Sequence, residues 1–164
     1  MNIDGARILV TGGAGLIGST TIDLLLADRS PGRIVILDNM TRGSSRNLTA
    51  ALKDPRVQFV EGDIRDRATV ERLVAEADAV IHMAALPITA CAADPREASD
   101  VMCAGTFNVI DAARQANVKK VVAASTASVY GLAERFPTTE EHHPYNNRTW
   151  YGAAKVMLEG LLRS

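Results

Sequence analysis

A doubly wound parallel α/β sheet with helices on both faces is the fold class predicted for this 164-residue chain. Three observations predict it. Short, continuously apolar, β-branched runs recur along the sequence. Each is followed by a segment with helical spacing or helix-start signals. The first run ends in a glycine-rich turn. Continuous rather than alternating apolar runs mark strands buried on both faces, as parallel strands are under crossover helices. Right-handed crossovers then fix the winding.

The elements follow in order. Residues 7–12 (RILVTG) read as a buried strand. Residues 16–28 (LIGSTTIDLLLAD) read as a helix, with Ile17, Thr21, Leu24 and Asp28 in register and Leu25 beside them. Residues 33–38 (RIVILD) are the second strand, followed by a polar stretch and a short helix near 48–53. Residues 57–63 (VQFVEGD) are the third strand. Residues 67–77 form a helix capped by Asp66, with Val70, Leu73, Val74 and Ala77 on one face. Residues 79–85 (AVIHMAA) are the fourth strand, and a loop with Pro87 and Pro95 leads to a long helix at about 98–116. Residues 120–126 (KVVAAST) are the fifth strand. A polar loop with Pro137 and Pro144 precedes a last helix at about 149–163. No repeat interrupts this order, so residues 1–164 read as one nucleotide-binding domain.

Composition narrows the function. Lys plus Arg number 18 against 19 Asp plus Glu, so no basic excess points to nucleic acid. Aromatic residues are only 4%, too few for a base-stacking platform. Cys91 and Cys103 stand outside any CxxC or histidine-rich setting, which argues for reduced thiols and against a metal site. The opening MNIDGARILV carries charges within a short apolar run, unlike a signal peptide. No run reaches the roughly 18 apolar residues that span a bilayer. The expected compartment is the cytoplasm, with no membrane partner.

In a sheet of this class, ligands bind beyond the carboxyl ends of the strands, where the strand order reverses. Strand one ends in VTGGAGLIGS. Gly13, Gly15 and Gly18 fit G-x-G-x-x-G, and Gly12, Gly15 and Gly18 fit G-x-x-G-x-x-G. Glycine lets the chain turn tightly and bring its backbone close to a diphosphate. The next helix starts there and aims free N–H groups at the phosphates. Strand before and helix after are the context that makes this a Rossmann-like dinucleotide site. Strand two ends at Asp38, twenty positions after Gly18. A carboxylate there accepts from both ribose hydroxyls and repels a 2′-phosphate, which favours NAD over NADP, although Arg42 lies near enough to pair with a phosphate. Capping the next segment is the plain alternative for Asp38.

Strand three ends in GDIRD, where Asp63 is either an acceptor for the adenine amino group, with Ile64 packing on the ring, or a turn residue. Strand four ends in HMAA. Ala84 and Ala85 are small enough for a cofactor to lie against the backbone, and His82 reads as a strand histidine with a satisfied ring. His142 and His143 are consecutive, and consecutive side chains point apart, a poor arrangement for a metal. Strand five ends in AASTASVYG, placing the hydroxyls of Ser125 and Thr126 at the sheet edge.

The stretch TWYGAAK puts Tyr151 four residues before Lys155. On a helix the two share a face. A free phenol has a pKa near 10 and is a poor base at neutral pH, but a cation within about 4–6 Å favours the phenolate. Such a phenolate can remove a proton from a substrate hydroxyl while hydride leaves the carbon. A surface helix pair is the plain reading of the motif taken alone. The nucleotide turn upstream and the hydroxyls of strand five tip it towards catalysis.

With these pieces in order (TGGAGLIGS, ILDNMTRG, GDIRD, VIHMAAL, AGTFNVIDAAR, STASVYG, WYGAAK), the chain resembles the extended short-chain dehydrogenase/reductase family, in its branch of NAD-dependent epimerases and dehydratases, UDP-glucose 4-epimerase-like enzymes among them. The resemblance implies that Gly12, Gly15, Leu16 and Ile17 form the diphosphate turn. It implies that Asp38 and Asn39 hold the adenosine ribose with Arg42 and Gly43 nearby, and that Asp63 and Ile64 contact adenine. Ala84, Ala85 and Leu86 would line the nicotinamide side. Thr126 would be the catalytic hydroxyl with Ser125 its neighbour, Tyr151 the base, and Lys155 its partner on the nicotinamide ribose. The implied reaction is transient oxidation of a nucleotide-sugar hydroxyl, on a UDP-sugar first of all, with NAD regenerated.

Two departures from the family stand out. An asparagine is usual three residues before the glycine of GT, and Met102 stands there, so a polar contact near the cofactor is expected to be missing. The family also continues into a substrate-gripping lobe, so the chain is expected to be the N-terminal portion of a longer enzyme. In the family, dimers form through the helices that correspond to 98–116 and 149–163, and a homodimer is the expectation here. A cofactor-binding module without turnover and a reductase acting on a non-sugar alcohol are the competing readings.

Overall fold

The computed structural model describes residues 2–164. Five strands, β1 (Arg7–Thr11), β2 (Arg33–Asp38), β3 (Val57–Glu61), β4 (Ala79–His82) and β5 (Lys120–Ala123), form one parallel sheet in the order β3-β2-β1-β4-β5. The helices are α1 (Leu16–Asp28), α2 (Arg67–Val74), α3 (Ile88–Ala93), α4 (Pro95–Ser99), α5 (Thr106–Gln115) and α6 (Trp150–Arg163). The strand order runs outward from β1 to β3 and then restarts at β4. The reversal therefore lies between β1 and β4, and the crevice expected to hold a ligand opens there.

The chain divides into two compact units, residues up to Ala84 with Asn108–Ala123, and Ala85–Phe107 with Ala124–Ser164. The first holds the sheet. Ile8, Val10, Ile34 and Ile36 turn to one face and pack with Ile22 of α1 and with Leu48 and Ala51. The alternate residues Leu9, Leu37 and Val80 are as deeply buried and face the other side. The expected α2 is present, with Asp66 accepting from the Ala68 and Thr69 amides and Val70, Leu73 and Val74 buried; it stops at Val74, before Ala77.

Helix α1 turns a different face inward from the one expected. Gly18, Ser19 and Ile22 are its buried residues, and Ile17 and Leu24 are 67% and 56% exposed. The cause is a close approach. A Cβ on Gly18 would fall 2.4 Å from the Gly12 carbonyl oxygen, so the small residues must face the turn, and that fixes the rotation of the whole helix.

In the second unit, α6 packs against α3, α4 and a π-helical segment, Asp100–Gly105. Two of these elements lie where a loop was expected. Pro87 is the cap residue before α3, and Pro95 is the first residue of α4, whose cap Asp94 accepts from the Arg96 and Glu97 amides. Both prolines start helices, where the missing N–H costs nothing. No helix among the described residues is long and apolar enough to cross a membrane.

Candidate functional site

In the first unit the site is built around the turn after β1. Gly12 has φ +71°, and its amide donates to the Leu37 carbonyl (2.8 Å). A Cβ here would lie 2.5 Å from the Ala84 nitrogen and 2.7 Å from Met83 C, so the ends of β1 and β4 are drawn together at the reversal of strand order. Gly15 is the cap residue of α1, without a side-chain cap and without an acid in the first turn. Leu16 and Ile17 are 77% and 67% exposed at that uncapped helix start. Free amides, a positive helix end and bare apolar side chains suit a diphosphate with a flat ring system attached.

A network ties this turn to the ends of β2 and β3. The Ala14 amide donates to Asp38 Oδ2 and the Met40 amide to Asp38 Oδ1, both at 2.9 Å. Each oxygen keeps one lone pair for a further donor. Gly43 lies against this carboxylate, and Arg42 is exposed with no ion-pair partner among the described residues. Asn47, which sequence reading missed, donates from Nδ2 to the Ala14 carbonyl (2.8 Å) and braces the turn from behind. A single asparagine in a polar stretch carries no spacing signal that could have found it.

At the end of β3, Asp63 accepts from the Arg65 amide (2.9 Å), Arg65 Nε (3.0 Å) and Nη2 (2.7 Å), and Asn39 Nδ2 (2.9 Å). The Arg65 side chain above all holds the Asp63 carboxyl at about 2, below the ordinary 3.8; burial pushes upward by less than that, and the Arg65 backbone amide and Asn39 add smaller downward pulls. Four donors fill its lone pairs, so an adenine amino group would have to displace one of them. Ile64 is 4% exposed, and its carbonyl accepts from Asn108 Nδ2 (3.0 Å), which leaves little of its side chain to cover a ring. The ring of His82 is satisfied as expected, with Nδ1 2.7 Å from Thr11 Oγ1 in the core. Thr11 Oγ1 also accepts from the Ala84 amide (3.4 Å) and so holds the exit of β4.

In the second unit the site is built on α6, capped by Thr149, whose Oγ1 accepts from the Gly152 amide (3.0 Å). Tyr151, Lys155 and Glu159 fall on one stripe of this helix. Lys155 is 3% exposed, and its Nζ donates to the Ala124 carbonyl (2.6 Å). Burial pulls its pKa down, and the neighbouring Cys91 thiol pushes it weakly up. An ammonium has three protons, and only one has an acceptor among the described residues. Spare buried donors of this kind suit a ligand hydroxyl. Tyr151 is half-buried, and its hydroxyl has no hydrogen-bond partner among the described residues.

The two hydroxyls after β5 separate. Ser125 Oγ donates to Glu159 Oε1 (2.5 Å). Thr126 Oγ1 accepts from the Ser128 amide (3.1 Å), and its own proton remains to be given. Ser125 and Lys155 thus clamp α6 to the stretch 124–125, and Thr126 is the one of the two hydroxyls whose proton has no acceptor among the described residues. Asn147 holds the other side of the segment, donating to the Ser128 carbonyl (2.7 Å) and accepting from the Thr149 amide (3.1 Å). Ala85 is exposed, and the Leu86 amide donates to the Met102 sulfur (3.2 Å). The polar contact expected to be missing at Met102 is therefore replaced by a softer one.

One expectation is corrected. The rings of His142 and His143 do not point apart: their centroids lie 4.6 Å from each other, beside Glu134. A turn, unlike a strand, brings consecutive side chains together. Their nitrogens are engaged within the loop. His142 Nε2 accepts from the Glu134 amide (3.1 Å), and Nδ1 meets the His143 carbonyl (2.7 Å). His143 Nδ1 accepts from the Tyr145 amide (3.3 Å), with Nε2 3.3 Å from Glu134 Oε1.

Residues 8–164 match the model of the NAD dependent epimerase/dehydratase family. The chain is 39% identical over 162 residues to the UDP-glucose 4-epimerase of Neisseria meningitidis serogroup C, covering 95% of this chain and 47% of that protein. It is 38% identical over 164 residues to the dTDP-glucose 4,6-dehydratase of Mycolicibacterium smegmatis, covering 96% and 48%. Its fold superposes on DesIV, the dTDP-glucose 4,6-dehydratase of Streptomyces venezuelae solved with NAD bound, with a TM-score of 0.89 at 35% identity, covering 96% of this chain and 50% of that one. The chain thus spans about half the length of the relatives it matches.

Proposed function

Because the chain belongs to the NAD-dependent epimerase/dehydratase family, we propose that it serves a nucleotide-sugar epimerase or dehydratase. In this role it binds NAD and moves the substrate proton. The observation that carries the reading is Lys155, buried with protons to spare, one helical turn from a half-buried phenol that has no partner. Bound NAD supplies a hydride acceptor that is restored at the end of the cycle. The residues of the chain do the rest. Gly12, Gly15 and the start of α1 receive the diphosphate, and the remaining lone pairs of Asp38 receive the ribose hydroxyls. Lys155 gives its free protons to the second ribose. Thr126 donates to the substrate oxygen, and Tyr151 takes the hydroxyl proton and later returns one. Nucleotide-sugars, a UDP-sugar first of all, are the proposed substrates.

Calorimetry is expected to give NAD at least about tenfold tighter than NADP, because a 2′-phosphate would meet the Asp38 carboxylate with like charge. The reverse order would remove the role given to Asp38.

A homodimer through the faces of α4–α5 and α6 belongs to the same proposal. Phe107, Trp150, Met157 and Leu162 are the large apolar residues these helices leave exposed. Light scattering on the purified protein is expected to give twice the chain mass, and Phe107→Glu with Met157→Glu to give the single mass. A monomer before mutation rejects the dimer and leaves the chemistry standing.

A further inference from the structure

The exit of β4 is held step by step. The Met83 amide donates to the Thr11 carbonyl (2.9 Å) and the Ala84 amide to Thr11 Oγ1 (3.4 Å). Two residues on, the Leu86 amide donates to Met102 Sδ at 3.2 Å. The next residue is Pro87, which has no amide proton, so Leu86 offers the last backbone donor before α3 begins. Met102 is 3% exposed, packed with Cys91, Ala98 and Ala154, and Leu86, Cys103 and Tyr151 close around it. A buried methionine usually fills space. This one also accepts a proton, and it does so from a π-helical segment, where the widened turn re-aims side chains away from the ordinary α-helical ladder.

We infer that Met102 is a positioning residue: its thioether, by accepting the Leu86 amide proton, fixes the Ala85–Leu86 turn for the cofactor. The inference rests on the NAD-binding reading above and adds a residue that acts through backbone rather than by touching the ligand. Volume and hydrogen bonding separate cleanly at this position. Leucine keeps nearly the same bulk and loses the acceptor. Glutamine keeps the length and supplies a stronger acceptor. A side chain that only packs would be replaced by leucine without effect.

The test compares wild type, Met102→Leu and Met102→Gln by hydrogen exchange at the Leu86 amide and by NAD titration. In Met102→Leu, exchange at Leu86 is expected to quicken about fivefold and NAD affinity to fall about fivefold, the scale of one lost hydrogen bond. The thermal midpoint should stay near that of wild type. Met102→Gln is expected to restore both readouts. Unchanged exchange in Met102→Leu overturns the sulfur–amide bond. Faster exchange with unchanged NAD affinity overturns the positioning role. Should wild type itself fail to bind NAD, the parent reading falls, and the role given to this turn falls with it, whatever exchange shows of the bond.

Discussion

Tyr151→Phe is expected to lower nucleotide-sugar turnover by about 10²–10⁴-fold, the usual share of general acid–base catalysis, and to leave NAD affinity within about twofold. The asymmetry follows from what the substitution removes. The ring of Tyr151 packs against the cluster of Cys91, Ala98, Met102 and Ala154, and phenylalanine keeps that ring. The hydroxyl has no partner among the described residues, so its loss leaves no buried donor or acceptor orphaned. Neither fold nor helix start depends on it: α6 is capped by Thr149 and clamped by Lys155 and Glu159. In the proposed mechanism the one thing lost is the atom that takes the substrate proton, and Lys155, one turn on, remains to hold the ribose. The measurement pairs steady-state turnover of a UDP- or dTDP-sugar by the whole protein with an NAD titration on the same preparation. Turnover near that of wild type would mean that another group is the base. Loss of NAD binding along with turnover would mean that the phenol holds the cofactor rather than moving a proton.

The parts of the fold that could be read in advance are those set by repeated pattern. Five apolar runs became five parallel strands, because burial on both faces demands apolar residues at every position. The second strand has the expected bounds, and the other four expected strands ran one to three residues too far at their carboxyl ends. The small or apolar residues there, such as Met83 to Ala85 and Ala124 to Thr126, belong to the turns that leave the sheet, and composition cannot separate the two. Helix α1 was legible as a helix and not as a face. Its rotation is set by one contact between Gly18 and the Gly12 carbonyl, which overrules the leucines. Pro87 and Pro95 read as loop residues because proline breaks helices; it also starts them, and here the starts win.

The candidate site shows the same division. Glycine spacing, the acids after strands two and three, and the tyrosine–lysine pair are all patterned. The residues that brace them are not. Asn47, Asn147 and Glu159 are single polar side chains that find backbone or hydroxyl partners 19 to 34 positions away, a relation that exists only after folding. Met102 is the sharpest instance. As a letter it signals a lost polar contact, and as a side chain it supplies one through sulfur.

Gly12→Ala is expected to be strongly destabilising, and Gly5→Ala is its control. Both glycines have φ +71°. A Cβ at Gly5 meets nothing within 4 Å, so alanine there costs only the left-handed backbone, about 1–2 kcal/mol. At Gly12 the same conformational cost applies, and the added carbon would fall 2.5 Å from Ala84 N and 2.7 Å from Ala84 Cα. These atoms are backbone at the end of a central strand, with no flexible side chain to swing away. Separating β1 from β4 adds roughly 1–3 kcal/mol, as overpacking of a close-fitted core does. The total, about 2–5 kcal/mol, is a large part of the stability of a domain of this size. Gly15→Ala divides the two roles of the turn. Gly15 has φ −72°, ordinary for any residue, and a Cβ there meets only the Gly12 oxygen at 3.3 Å. That variant should fold with little loss and bind NAD weakly, because its methyl stands at the helix start where a diphosphate must approach. Urea midpoints of the three variants, with NAD titrations, decide the matter. If Gly12→Ala loses no more stability than Gly5→Ala, the close approach of β1 and β4 is not what the glycine serves. If Gly15→Ala binds NAD as wild type does, the diphosphate lies elsewhere.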